Sequence, residues 1–278
     1  MRGWRTSASL LVIAIALSSC GGRASKASFL EKADAACRSR DAALTGIVKP
    51  TDFRGLADAA AALAKANDDE VAAVRRQSIP GGDKARVRGV LDQLGAVSAS
   101  ARALESKARS QDVSAVSAAA ETEAKAQAAQ DGARAYGFTV CGTATRGVAA
   151  TIADAAQPVL KKAFVDKVDA ACAAVAAKLR DLPKPPSTAK EVVVPYLTSL
   201  GQLLDEAIAA LSQPPPPGDE AALKNVVDGF RKQRADVQEQ LDAVNRNDPA
   251  AAETAVEAVG ADGEEASARA HAYGLTNC

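Results

Sequence analysis

The chain has 278 residues, and its 34 Lys and Arg residues balance 34 Asp and Glu residues to a formal net charge of +0. This balance excludes a nucleic-acid partner, because phosphate binding requires a strongly basic face. Alanine fills 66 positions, while aromatic residues make up only 3% of the chain. Since alanine has the highest helix propensity and strands favour aromatic and β-branched residues, we expect an all-α protein with a thin core.

The first twenty residues have the organisation of an export signal. Arg2 and Arg5 precede an apolar run over 8–17, which ends in Leu17-Ser18-Ser19-Cys20. This tetrapeptide resembles the lipobox of bacterial lipoproteins, whose chains are cut before the cysteine and acylated on its thiol. The resemblance implies a signal peptide over 1–19 and a lipidated tether over 20–27. The alternative is an ordinary secretory signal that happens to contain a cysteine.

The lipobox resemblance also implies where the protein is located. The apolar run is shorter than the roughly 20 residues that span a bilayer, so lipid on Cys20 would be the anchor. We therefore expect the mature protein at the extracytoplasmic face of the cell membrane. Without residues 1–19 it has 32 basic and 34 acidic residues, a net charge of −2.

An internal duplication organises the rest of the chain. Two segments each occur twice with most residues identical: Phe29–Cys37 and Phe164–Cys172, Ala135–Cys141 and Ala272–Cys278. We therefore predict two helical domains of normal size, copy 1 over 28–141 and copy 2 over 162–278, joined by a linker over 142–161.

Turn and capping residues divide each copy into four predicted helices. Those of copy 1 cover 28–48, 52–78, 83–109 and 112–135, and those of copy 2 cover 162–182, 188–213, 219–246 and 248–272. The expected N-caps are aspartates: Asp52, Asp83, Asp112 and Asp248. Short loops make neighbouring helices antiparallel, so we predict an all-α fold of two tandem antiparallel four-helix bundles.

Each copy carries two cysteines that this arrangement brings to the same end of a bundle. Cys37 and Cys141 are 104 residues apart, and Cys172 and Cys278 are 106 residues apart. We predict one disulfide within each copy, because the exported protein meets oxidising conditions. Metal-ligating or redox thiols are the alternative, but no two of these four cysteines are closer than 31 residues, whereas zinc sites cluster theirs.

The residues beside the cysteines are predicted to close each bundle. Tyr136 and Tyr273 each precede the second cysteine by five residues, and Asp34 and Asp169 each precede the first by three. We expect each ring to pack over its disulfide. Each aspartate would accept the tyrosine hydroxyl, its first candidate partner, or a backbone N–H of the returning tail. A role for the tyrosines in contacting a partner is the alternative.

A basic rim is predicted around the second loop of copy 1, at the end nearest Cys20. Its members are Arg75, Arg76, Lys84, Arg86 and Arg88. Juxtamembrane basic residues attract anionic lipid, so this rim is a candidate lipid-facing surface. Alternatively, these basic residues only keep the surface soluble and interact favourably with the C-terminal end of a helix.

These features favour a protein that is not an enzyme. His271 is the single histidine, so a catalytic triad and haem, copper or di-iron centres lack the residues they need, and we expect no metal or cofactor. We expect a non-catalytic binding or structural module of the cell envelope, whose partners are the membrane and an envelope protein. The alternative is a carrier of an apolar small molecule or lipid, which a large apolar pocket would favour.

Overall fold

The computed structural model describes residues 25–278, and over that range the chain is all-helical. The helices are α1 (Lys26–Leu44), α2 (Phe53–Arg75), α3 (Lys84–Arg109), α4 (Ala115–Tyr136), α5 (Thr143–Asp181), α6 (Lys190–Leu211), α7 (Glu220–Arg246) and α8 (Pro249–Tyr273). A short 3₁₀ helix, Gly81–Asp83, precedes α3. None of the helices described is both long enough and apolar enough to cross a membrane. Cys20 and the other lipobox residues lie outside the described range.

Aspartates begin several helices, as predicted, although not all of them act as caps. Asp52 and Asp248 each accept a hydrogen bond from a backbone N–H of the first turn, and Pro249 is the first residue of α8. Asp83 and Asp219 occupy the N-cap positions of α3 and α7 but make no capping bond. Their carboxylates are engaged by other partners, described below.

The boundaries of α4 depend on turn residues at both ends. Asp112 accepts a hydrogen bond from the N–H of Ser114 at 2.8 Å, so α4 begins at Ala115 rather than at the predicted Asp112. Gly137 ends α4 in the left-handed conformation, with φ of 118°. Glycine adopts this conformation without steric strain, which lets the chain turn back towards α1.

The stretch that was predicted to be a linker, 142–161, is helical. α5 begins at Thr143 and runs without a break for 39 residues, a length of about 58 Å, so it also contains the first helix predicted for copy 2. Ala149, Ile152, Ala156 and Val159 recur at helical spacing and are all buried. This apolar face explains why the stretch packs as a helix, and the first helix of copy 2 therefore begins at Thr143 instead of the predicted residue 162.

The buried apolar side chains form two clusters, and α5 takes part in both. The first cluster joins α1 to α4 with the first half of α5, from Ala149 to Leu160. The second joins the other half of α5, from Val168 onwards, with α6, α7 and α8. The first cluster therefore contains five helical segments where the sequence predicted four, because the supposed linker adds one.

Candidate functional site

A disulfide closes each copy, as the cysteine spacing predicted. Cys37 is bonded to Cys141 and Cys172 to Cys278, with a Cα–Cα distance of 5.1 Å in both pairs. The helix that carries the first cysteine is thereby tied to the segment that follows α4 or α8. Closing loops of 104 and 106 residues stabilises the folded chain by up to ~4.7 kcal/mol each in the chain-entropy model.

Asp34 holds the segment that leads to Cys141. Its carboxylate accepts hydrogen bonds from the N–H groups of Thr139 (3.0 Å) and Val140 (3.2 Å) and from the Thr139 hydroxyl (2.7 Å). Burial raises the pKa of Asp34, but these donors together outweigh burial, so the pKa lies below its ordinary value. The carboxylate is therefore ionised at neutral pH and fastens the returning tail to α1.

Asp169 makes the same connection in copy 2, with more solvent around it. It accepts hydrogen bonds from the N–H groups of Thr276 (2.8 Å) and Asn277 (3.1 Å) and from the Thr276 hydroxyl (2.7 Å). Here too burial raises the pKa of the carboxyl and the donors outweigh it, so the pKa is lowered. The second role predicted for these aspartates, acceptance of backbone N–H groups of the tail, is confirmed.

The first role predicted for those aspartates is wrong, because other carboxylates hold the tyrosine hydroxyls. Tyr136 donates to Oδ2 of Asp83 at 3.0 Å, and Tyr273 donates to Oδ2 of Asp219 at 3.1 Å. Burial, and then the bonded carboxylate, raise the pKa of Tyr136 to about 12 and also raise that of Tyr273. Each bond ties the turn before α3 or α7 to the last turn of α4 or α8.

A lysine that was not predicted belongs to the same arrangement in both copies. Lys26 Nζ lies 4.4 Å from the ring centroid of Tyr136, and Lys161 Nζ lies 4.7 Å from that of Tyr273. The phenylalanine at the start of each repeat also packs against the tyrosine of its copy, with the two rings in an edge-on arrangement and their centroids 6.2 Å apart. Each lysine precedes the first cysteine of its copy by eleven residues. A repeat alignment extended by three residues would have found both.

We refer to these duplicated groups as the closure clusters. They comprise Lys26, Asp34, Cys37, Asp83, Tyr136, Thr139 and Cys141 in copy 1, and Lys161, Asp169, Cys172, Asp219, Tyr273, Thr276 and Cys278 in copy 2. The carboxylates, hydroxyls and cysteines among them are engaged with partners in the same copy. Each closure cluster therefore joins the segment after the last helix of its copy to the helix that carries the first cysteine.

A buried ion pair adjoins the disulfide of copy 1. Arg40, which is 6% exposed, pairs through Nη1 with Oε2 of Glu70, which is 0% exposed. Glu70 Oε1 lies 2.9 Å from Sγ of Cys37, whose sulfur carries no proton because it is bonded to Cys141. Arg40 therefore supplies the charge that balances Glu70. Nothing in the sequence pattern indicated that these two residues are buried.

Two carboxylates meet between α7 and α8. Lys232 donates to Oδ1 of Asp262 at 2.8 Å, whereas Oδ2 of Asp236 is buried and has no hydrogen-bond partner within the described residues. Burial, and then the neighbouring Asp262, raise the pKa of Asp236 to about 6. When it is ionised at neutral pH, Asp236 therefore weakens the contact between these two helices.

The five residues of the predicted basic rim are exposed at one end of copy 1: Arg75, Arg76, Lys84, Arg86 and Arg88. The start of α1 lies at the same end, since Lys26 stacks on Tyr136 and Tyr136 bonds to Asp83 beside the rim. The rim is thus near the point where the described chain begins. Contact of the rim with lipid stays a prediction.

A cleft of about 880 Å³ opens on copy 2 between α6, the end of α7 and the start of α8. Its apolar wall includes Val193, Tyr196, Leu200, Val244, Val256 and Val259. Val256 is 51% exposed although it is a large apolar residue. Charges of both signs, Lys190 and Glu253, also line the cleft. The volume lies within the range of about 300–1,000 Å³ that is typical of ligand pockets.

The cleft differs from the closure clusters because its wall leaves large apolar side chains partly exposed, Val256 most of all. No family model, no curated protein and no solved structure matches the chain. The cleft is the candidate binding site of the chain.

Proposed function

We propose that this chain is a lipid-anchored protein of the extracytoplasmic face of the cell membrane, built from two tandem helical modules. It binds a partner in the cell envelope and catalyses no reaction. The cleft on copy 2 is the observation that carries the binding role. The cleft exposes apolar side chains, whereas the closure clusters are engaged in contacts within their own copy.

The proposed location is supported by three independent features. The tetrapeptide Leu17–Cys20 supplies the acylation signal. Both disulfides suit an oxidising compartment. The basic rim lies at the end of copy 1 where α1 begins, so a tether from Cys20 would bring it close to anionic lipid headgroups.

Substitution of the acylated cysteine tests the anchor. We expect Cys20→Ala to move the protein out of the detergent phase, or to block its processing, while its helical content and both disulfides are unchanged. Ser19→Ala is the matched control, because it keeps a small residue before the cysteine and should partition like the parent. If Cys20→Ala is processed normally and still partitions like the parent, the proposed anchor is wrong.

A carrier of an apolar small molecule or lipid is the second candidate function, and the volume and apolar lining of the cleft favour it. Native mass spectrometry of protein extracted from the envelope in mild detergent separates the two candidates. A carrier would retain a small ligand of defined mass, and Val256→Asp would remove that ligand. A module that binds a protein would retain none.

A further inference from the structure

The cleft of copy 2 occupies the place that a helix fills in copy 1. In copy 1, the first half of α5 packs across both α2 and α4, and its Ile152, Ala156 and Val159 belong to the first apolar cluster. In copy 2, α6 and α8 correspond to α2 and α4, and the cleft lies between them. Among residues 25–278 no helix takes that place.

Matched positions on α4 and α8 differ in how much of each side chain is exposed. Counted back from the tyrosine of each copy, Val256 corresponds to Ala119 and Val259 to Thr122. Ala119 and Thr122 are both 0% exposed, whereas Val256 is 51% exposed and Val259 is half-buried. Copy 2 therefore has a larger side chain at one of these positions and a more apolar one at the other, although both are less protected from water.

The helices α2 and α6 show the same difference. Their buried residues coincide when Ala60, Ala64 and Val74 are matched with Leu197, Gly201 and Leu211. In this register Leu63, which is 0% exposed, corresponds to Leu200, which is half-buried in the wall of the cleft. Both walls of the cleft thus repeat an interface that is covered in copy 1.

We propose that the cleft receives an alanine-rich amphipathic helix of a partner protein, docked as the first half of α5 docks on copy 1. This inference rests on the proposed binding function and names its partner class. Val256 in the wall of the cleft is 51% exposed, so the cleft presents apolar side chains that the single apolar face of a helix could cover.

Charge and connectivity narrow the choice of partner. The stretch 143–160 carries only Arg146 and Asp154 as charged residues, and the cleft is likewise lined by few charged residues, namely Lys190, Asp248 and Glu253. A second copy of this chain cannot supply the helix without loss, because the first half of its own α5 is buried in its own core. The partner of this proposal is therefore a helix with few charged residues, carried by a different protein.

A peptide of residues 143–162 is the probe, because this segment is the occupant of the equivalent groove. Fluorescein-labelled peptide is titrated with the full-length protein in mild detergent, and anisotropy reports binding. We expect saturable one-site binding that is weakened at least tenfold by Val256→Asp in the protein. Ile152→Asp in the peptide should weaken binding to the same extent, because Ile152 lies on the buried face of α5.

The matched controls separate docking from non-specific adhesion. Val113→Asp changes a valine of copy 1 that is 50% exposed and lies outside the cleft, so peptide binding should be unchanged. Asp154→Asn in the peptide changes a solvent-facing residue of α5 and should also have no effect. Because Val256 is itself half exposed, Val256→Asp should fold, and far-UV circular dichroism with disulfide mapping verifies this.

Three results would overturn the proposal: no saturable binding, binding that Val256→Asp leaves unchanged, or a dimer in sedimentation that Val256→Asp dissociates. The last would identify a second copy as the occupant. None of these results depends on Cys20. If the peptide does not bind but Cys20→Ala releases the protein from the detergent phase, only the helix-docking proposal is refuted. If Cys20→Ala does not release the protein, the anchor proposal is refuted and the peptide-binding result is unaffected.

Discussion

Replacement of Asp34 by asparagine measures how strongly one carboxylate holds the tail of copy 1. Asparagine has the same size but only one acceptor oxygen, and its NH₂ group would face the N–H donors of Thr139 and Val140. Hydrogen bonds to charged acceptors contribute about 1.5–3 kcal/mol each. Asp34 is 6% exposed, so water cannot replace the bonds that are lost. With at least one such bond lost and an NH₂ placed against a donor, we expect Asp34→Asn to lower the free energy of unfolding by about 3 kcal/mol.

Asp169→Asn is the matched comparison within the same chain. Asp169 has equivalent donors, but it is partly exposed and its bonds are open to solvent. Water can satisfy the groups that the substitution frees, so we expect a loss of about 1 kcal/mol, near the ordinary net value of a hydrogen bond. Urea unfolding with the disulfides intact gives both free energies. Amide hydrogen exchange at Val140 and Asn277 locates the loss in the tails.

The pH dependence provides an internal check on Asp34. Its pKa is lower in the folded chain than the ordinary value of 3.8, so its stabilisation is complete above pH 4 and is lost as the pH falls through the folded value. Parent and Asp34→Asn should therefore differ at pH 7 and converge in strong acid. Equal losses for Asp34→Asn and Asp169→Asn, or a loss below about 0.5 kcal/mol for the former, would refute this account of burial.

Three further predictions follow from the other polar contacts. Tyr273→Phe and Asp219→Asn should each destabilise copy 2 by about 1 kcal/mol, and the double variant should lose less than their sum; thermal melts that give strictly additive losses would show that the two residues do not interact. Arg40→Met should destabilise copy 1 by about 3–5 kcal/mol in urea unfolding, because Glu70 is left buried and unpaired, and adding Glu70→Gln should restore part of the loss. Asp236→Asn should stabilise the protein on the order of 1 kcal/mol above pH 6 and not below pH 4, because the raised pKa makes ionisation unfavourable only in the folded chain; a stability difference that does not vary with pH would contradict this.

The local structure of this protein could be predicted from its sequence. The all-helical class follows from the alanine content. The caps at Asp52 and Asp248 follow from capping chemistry. The two disulfides follow from a repeat that places cysteines 104 and 106 residues apart. These properties depend on near neighbours in the chain or on one spacing that occurs twice. The stretch 142–161 was assigned to a linker although Ala149, Ile152 and Ala156 recur at helical spacing, and the structure continues it into the helix that carries Cys172.

The tertiary structure alone decided which groups meet across helices. Sequence spacing placed Asp34 and Tyr136 at the same end of copy 1, but only the packed helices assign the tail N–H groups to Asp34 and the hydroxyl to Asp83. The burial of Glu70 and the open cleft beside Val256 likewise depend on how many helices surround each position. The same amphipathic pattern is compatible with a helix whose apolar face is buried by a neighbouring helix and with a helix whose apolar face is exposed to solvent. The number of neighbours, which sequence periodicity does not encode, determines which of the two a surface becomes.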